Sequence, residues 1–491
     1  MKDKFDSRFA LPCAASTLSL LLLSGCMVGP DFSPPDSRLP DTWSETALRG
    51  PVIADTVNAD WWNGFNDPVL SQLIKRVNEA NLDLKIAVER LNQSKAIFQH
   101  VSSGKLPSVE GVLEYNRARS SEKGLADISG LDGKKNFNIW NTGIDSTWEL
   151  DLWGRVKRAM EAADAKVTIA EADRRSIYLS LMAETASIYI KLRGIQELLD
   201  VTQQNLTTAE KTLDLTCIKF EQGVATDLEV SQASAVKASI RARVPSLKQR
   251  EQEAISALGL LVAEPPDALQ NLLKPRGTVP TIDESIGIGV PSELAQRRPD
   301  IWKAEAELHA ATASIGVANA NFYPSITLSE SIGFQANRLS DLGSWNTRQF
   351  SFGPALSVPV FEGGRLKAML EFSNAQQRQA ALAYQKVVLT AWHEVNNAIS
   401  GLANERIRQK DLRESVAQSQ KAFDSAKLQY KQGTVDYLNV LSIQDMLLNN
   451  QSALTNSKIA ASLSEVQLYK ALGGGWGAPL SRVASNETLR K

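Results

Sequence analysis

The chain has 491 residues, 43% hydrophobic and 22% charged, with 54 basic side chains against 55 acidic ones. A net charge of −1 gives no electrostatic pull toward nucleic acid. The three His (His100, His309, His393) are widely separated and the three Cys lack a ligand spacing, which argues against a metal cluster.

Lys2, Lys4 and Arg8 precede a mostly apolar run over Ala10–Leu23 that ends in Leu23-Ser24-Gly25-Cys26. The run is too short for a bilayer and reads as a secretory leader. Leu-Ser-Gly-Cys resembles a bacterial lipobox, in which the Cys is acylated and becomes the first mature residue. Met27 follows rather than Asp, which by the same resemblance favours the outer membrane. Cys217 is then the one unmodified thiol, expected to pack inside a helix. No later run of about eighteen apolar residues occurs, so a mature chain that spans a membrane must do so with strands.

A stretch of about 40 residues rich in Pro and Trp leads into a first helix over about 68–100. Strands follow over Ser108–Arg117 and Gly143–Leu152. In the second, Ile144, Trp148, Leu150 and Leu152 alternate with Asp145, Thr147, Glu149 and Asp151, the pattern of a strand with two different sides. From Arg155 to Gln222 there are 68 residues, about 100 Å if unbroken helix. Leu199, Leu206, Leu213 and Phe220 recur every seven residues, the spacing of a left-handed supercoiled seam. Gly223 turns the chain back, since glycine accepts φ values that a Cβ forbids.

The order then repeats: a helix over 292–319, strands over Ser325–Phe334 and Gln349–Val360, a long helix carrying Val416, Phe423 and Tyr430 on its seam, and a turn at Gly433. Leu106-Pro107-Ser108-Val109 returns as Tyr323-Pro324-Ser325-Ile326, and Phe220-Glu221-Gln222-Gly223 as Tyr430-Lys431-Gln432-Gly433, about 210 to 217 residues apart. The expected organisation is a leader over 1–25, an anchored segment over 26–66, a first repeat over 67–270, a linker over 271–291, a second repeat over 292–474 and a tail over 475–491.

Four strands cannot close a barrel, for which about eight are needed, and open edges do not survive in lipid. Two chains would supply eight strands and three would supply twelve. The aromatic face then meets lipid and the small, polar face meets water; a soluble sheet with one wet face is the alternative. The helices read either as a tube continuing the barrel or as a coiled-coil stalk without a bore.

The residues Cys26-Met27-Val28-Gly29-Pro30-Asp31-Phe32, Trp61-Trp62 through Asp67-Pro68, Asp151-Leu152-Trp153-Gly154-Arg155, Arg297-Arg298-Pro299-Asp300-Ile301 and the two Gln-Gly turns stand in an order that resembles the outer membrane factor family, TolC-like ducts, in its NodT-type lipoprotein branch. The resemblance implies an α+β membrane protein. Each chain would give four strands to a trimeric 12-stranded β-barrel and long coiled-coil helices to a periplasmic tunnel, with an internal two-fold duplication. It implies a homotrimer anchored by lipid on Cys26, with no other cofactor and no catalysis, in the bacterial outer membrane and reaching into the periplasm. The partners it implies are a periplasmic adaptor (membrane fusion) protein, an inner-membrane efflux pump and outer membrane lipid. The implied function is a passive duct for small toxic compounds or drugs. A duct for type I polypeptide secretion and a structural coiled-coil lipoprotein are the rivals.

By the same resemblance the adaptor-docking tips correspond to Gly223, Val224, Ala225, Gly433 and Thr434. The channel gate corresponds to Leu438, Asn439 and Ser442, with Glu229 as the acid that ties it closed. This chain departs from relatives in having Asn439 and Ser442 where Asp is frequent, and Val435 where some carry a basic partner. Asp436 and Asp445 read as solvated tip charges, Asp145, Glu149 and Asp151 as acids of a wet face, Arg298 and Asp300 as organisers of a helix start, and Trp61 and Trp62 as packing anchors.

Overall fold

The computed structural model describes residues 27–36, 39–40, 42–43, 52–53, 55, 57–119, 136–282 and 285–474. The leader, Cys26 and the tail over 475–491 lie outside them. In chain order the main elements are α1 Pro68–Ala80, α2 Leu82–Ser102, β1 Ser108–Arg119, β2 Asn136–Leu150, α3 Arg155–Glu221, α4 Asp227–Leu261, α5 Pro299–Ala320, β3 Ser325–Ala336, β4 Arg348–Ser357, α6 Arg365–Gln432 and α7 Tyr437–Ala471. A two-residue parallel pairing joins Val52–Ile53 to Ile286–Gly287. The fold is α+β and mostly helical. No described helix is long and apolar enough to cross a membrane.

Several boundaries differ from the sequence expectation for local reasons. The helix expected over 68–100 is broken at Asn81, which ends α1 by donating its N–H to the Val77 carbonyl and starts α2 by accepting the Leu84 N–H on its side chain. Asp67 caps α1 through the N–H groups of Val69 and Leu70, with Pro68 in the first turn where its missing N–H costs nothing. The helix expected over 292–319 is likewise interrupted: Leu294–Arg297 is a single turn, Arg298 is extended because a proline follows, and α5 begins at Pro299.

The described residues divide into two compact units, one with those up to Pro35, Leu91–Ile169 and Ala304–Ala383, the other with those of Asp36–Arg90, Ala170–Lys303 and Tyr384 to Gly474. The first holds the four-stranded sheet, antiparallel throughout in the order β1-β2-β3-β4. Its strands have 12, 15, 12 and 10 residues, long enough for a tilted membrane strand, which takes about 9–11. β2 ends at Leu150, two residues sooner than its alternation suggested, because the chain leaves the sheet for the φ +77° turn at Gly154. β4 stops at Ser357, before Pro359, which has no N–H to give the ladder.

In the second unit, buried residues of α3 recur at Leu199, Thr202, Leu206, Ala209, Thr212 and Thr216. The seven-residue period is there, but the seam drifts away from Phe220, which is exposed, onto small hydroxyl residues. Thr202, Thr212 and Thr216 give their hydroxyl protons to the carbonyls four residues back, so the seam stays satisfied while helices approach closely. The anchor role expected of Trp61 is visible: it is fully buried, stacked on Tyr469 with ring centres 5.4 Å apart. Arg298 is buried and donates to the Ala471 carbonyl, Asp300 and Glu394, tying the start of α5 to the end of α7 and the middle of α6.

Candidate functional site

The sheet has two chemically different faces. Directly paired residues share a face, so the register assigns each row. Gly111, Ile144, Ile332 and Phe350 form one row of the apolar face, and Leu150, Ile326 and Leu356 another. Ser146 and Glu330, opposite each other, put a polar pair within it. The other face carries Glu110, Asp145, Ser331 and Ser351 in one row and Val112, Gly143, Gly333 and Gln349 in the next. Much of this apolar side is uncovered among the described residues: Ile144, Ile332 and Leu356 are exposed and Phe350 is 79% exposed.

Gly143 and Gly333 face each other on the polar side, and a Cβ on Gly333 would lie 2.2 Å from the Thr142 carbonyl oxygen. A backbone approach this close lets the sheet curl toward its polar face. β1 and β4 are edges with no neighbour among the described residues of the chain. Of the acids expected on the wet face, Asp145 lies there, opposite Glu110. Glu149 lies on that face too, opposite Thr327, and is paired with Arg155, 2.8 Å at Nε. Asp151 falls outside the strand altogether and caps α3, accepting the N–H groups of Val156 and Lys157; for this one the sequence reading is corrected.

The two hairpin tips of the second unit are built alike. Gly223 and Gly433 have φ of +70° and +77°, with open space where a Cβ would sit, so glycine is needed for the turn and not for room. Val224 N–H bonds to the Lys219 carbonyl at 2.8 Å, and Thr434 N–H to the Gln429 carbonyl at 3.0 Å. Val224 and Gly433 are exposed at the surface of their tips, as are Gly223 and Thr434, while Ala225 is half-buried.

Beyond the second turn, α7 divides cleanly. Tyr437, Val440 and Leu447 are buried and packed with Phe423, Ala426 and Tyr430 of α6, and Gln444 is buried as well. Leu438, Asn439, Ser442, Asp445 and Met446 line the opposite, exposed side, with Leu438 61% exposed. The structure therefore brings the three expected gate positions onto one stripe and adds Asp445 to it. Glu229 is elsewhere: its carboxylate accepts the Thr226 N–H at 2.7 Å and its own N–H returns to the Thr226 hydroxyl, a reciprocal cap that commits the acid to the start of α4.

Sequence reading missed a contact joining the tips. The Lys219 ammonium lies 4.0 Å from the centre of the Tyr430 ring and also donates to the Tyr430 carbonyl. The Tyr430 hydroxyl reaches Thr216 at 3.3 Å. Burial, followed by neighbouring Tyr430 and Asp445, pushes the Tyr437 phenol up to about 12. The only signal for Lys219 was a basic residue four before a turn, which is common on any helix.

An amphipathic four-stranded sheet with open edges, borne with long helical hairpins, is the build of an outer membrane channel protein. The sequence profile of the outer membrane efflux protein family matches residues 73–264 and 290–474, and the chain belongs to that family. It is 33% identical over 471 residues to the pyoverdine export outer membrane protein OpmQ of Pseudomonas aeruginosa, covering 94% of this chain and 98% of that one. It is 32% identical over 475 residues to nodulation protein T of Rhizobium leguminosarum bv. viciae, covering 96% and 95%. Its fold superposes on the outer-membrane channel OprN with a TM-score of 0.86 at 32% identity, over 92% of this chain and all of that one.

Proposed function

We propose that three copies of this chain form the outer membrane duct of a tripartite efflux system, passing small toxic compounds outward from an inner-membrane pump through a periplasmic adaptor. The observation that carries this reading is the sheet: an uncovered apolar face, a small and polar opposite face, and two unpaired edges. Such edges are unacceptable in lipid unless copies pair edge to edge, and three protomers give twelve strands. The two halves of the chain are read as copies of one duplicated unit, the helices as a periplasmic tunnel, and the acyl group on Cys26 as an added anchor. The chain is a conduit and not an enzyme; the work is done by the pump.

The Leu438, Asn439 and Ser442 stripe is the gate in this reading. Related three-fold, Leu438 closes the bore sterically and by dewetting. Asp445, on the same stripe, supplies an acid one turn from Ser442, so a charged ring does not require Asp at the neighbouring positions. Glu229 contributes by fixing the tip of α4. Gly223, Val224, Ala225, Gly433 and Thr434 form the adaptor-docking surface.

The test is accumulation of a fluorescent efflux dye in cells lacking the gene, complemented with wild type or Gly433→Trp. Rescue by wild type and not by a correctly located tip variant supports the duct and its docking surface. No accumulation in the deletion strain contradicts small-molecule efflux and favours a polypeptide cargo.

A further inference from the structure

The residues immediately after Cys26 are held in place by contacts that the duct function does not use. Gly29 takes φ +94° and lies so close to α5 that a Cβ on it would be 2.6 Å from the Gly316 Cα. Val28 donates its N–H to the Trp153 carbonyl at 3.2 Å, and Met27 packs on Gly154. Phe32 stacks on His309 with ring centres 4.3 Å apart. Beneath this segment lies Arg158, its side chain 1% exposed. Its guanidinium donates to Asp31 at 2.6 Å, to the Val28 carbonyl at 3.3 Å, to the Gly29 carbonyl at 3.4 Å and to Glu161 at 2.7 Å. Glu161 in turn meets His309 at 2.9 Å. A buried arginine that reads two backbone carbonyls and a carboxylate of one short segment is a recognition site for that segment.

The surroundings give the site a level. Trp153, whose carbonyl receives Val28, stacks on Tyr323 at 4.7 Å and donates its ring N–H to the Pro324 carbonyl at 2.7 Å. Tyr323 and Pro324 join α5 to β3, so this aromatic pair marks the end of the sheet at which helices attach. Rings with an apolar body and a bonded polar edge suit the membrane interface.

We propose that Met27–Phe32 is a docking strap, read by Arg158 as a positioning residue, which fixes the acylated end of the mature chain at the strand-to-helix junction. The acyl chains then enter the bilayer at the level where the sheet begins. The proposal rests on the lipid at Cys26, which is covalently the next residue to Met27. It accounts for both glycines at the crossing: Gly29 supplies the positive φ, and Gly316 leaves room for the strap and for the Arg158 side chain, whose Cγ would be 2.6 Å from a Cβ there.

The experiment uses the full chain purified from outer membranes and reconstituted in nanodiscs. Chymotryptic cleavage after Phe32 is followed by mass spectrometry, which also reads the acyl groups on the N-terminal peptide. Gly29→Ala and Asp31→Asn lie in the strap, outside every helix and strand, and are expected to be cut about tenfold faster than wild type, since cleavage follows the population of the released strap. A bimane label on Met27→Cys, in a Cys217→Ala background, is expected to be quenched best by lipids brominated near the headgroup, and Gly29→Ala to lose that depth preference. A merely structural contact would not move the depth reading. Equal cleavage in all three proteins overturns the strap. An unacylated Cys26 with Phe32 protected overturns the anchoring role and the lipid reading, while leaving the docked segment; an acylated Cys26 with Phe32 unprotected overturns the strap alone.

Discussion

At the strand-to-helix junction all three nitrogens of the Arg158 guanidinium are hydrogen-bonded, and two glycines let backbones touch. At the hairpin tips the Gln444 amide is 1% exposed, sits among Val440, Leu447 and their neighbours, and reaches no partner among the described residues with either its oxygen or its nitrogen. Buried polar networks that are fully satisfied lock one arrangement, whereas an unsatisfied amide carries its desolvation cost as long as the packing persists. The difference assigns the two regions opposite duties. The junction is expected to hold position and the tip to open more readily, which is what the gate proposed at Leu438 would need.

The largest effect should fall on the junction. Arg158→Met keeps most of the volume but takes the donor from the half-buried Glu161 and from two carbonyls, while Asp31 is exposed and turns to water, and should cost about 2–3 kcal/mol in denaturant unfolding of the purified protein. A cost within a few tenths would remove the claim that this node is structurally decisive. Gln444→Leu should act in the other direction at the tip. Replacing the unpartnered amide with an apolar isostere should stabilise the α7 packing by about 1–2 kcal/mol, read as slower amide exchange over Tyr437–Leu447. Dye export should slow at the same time, because the resting packing is favoured. Faster exchange would show that the amide is satisfied and the comparison misplaced.

The smallest effect is a pH dependence confined to the tip. Because the folded chain holds the Tyr437 proton more tightly than the ordinary value of 10, this contribution is complete below about pH 10 and is lost as pH rises toward about 12. Protection of the tip should therefore fall across that window in wild type and change less in Tyr437→Phe.

Much of the fold could be read in the residues. The alternation around Trp148, the seven-residue period and the two Gly turns are local patterns, and each placed an element of the right kind. What escaped was decided by single side chains acting across the chain or against a boundary. Asn81 serves two helices at once, and Asp151 looks like the next residue of a strand but caps α3. The seam of α3 runs over threonines that hydropathy does not mark. Arg158 is one of many helical arginines until Asp31, 127 positions away, folds onto it. The candidate gate was legible as a set of positions by resemblance, and Leu438, Asn439 and Ser442 share one exposed stripe of α7 with Asp445 and Met446. That Glu229 caps its own helix was written in the Thr-x-x-Glu spacing of Thr226 and Glu229, a pattern that means a helix start before it means a gate.

Closure of a duct by Leu438 from several copies, as proposed, can be probed with Leu438→Cys in a Cys217→Ala background. Mild oxidation in cells should produce chains cross-linked to one another and stop dye export, and a reductant should restore both. Introduced thiols that stay uncross-linked after oxidation while export continues unchanged, in a correctly located protein, would contradict the gate.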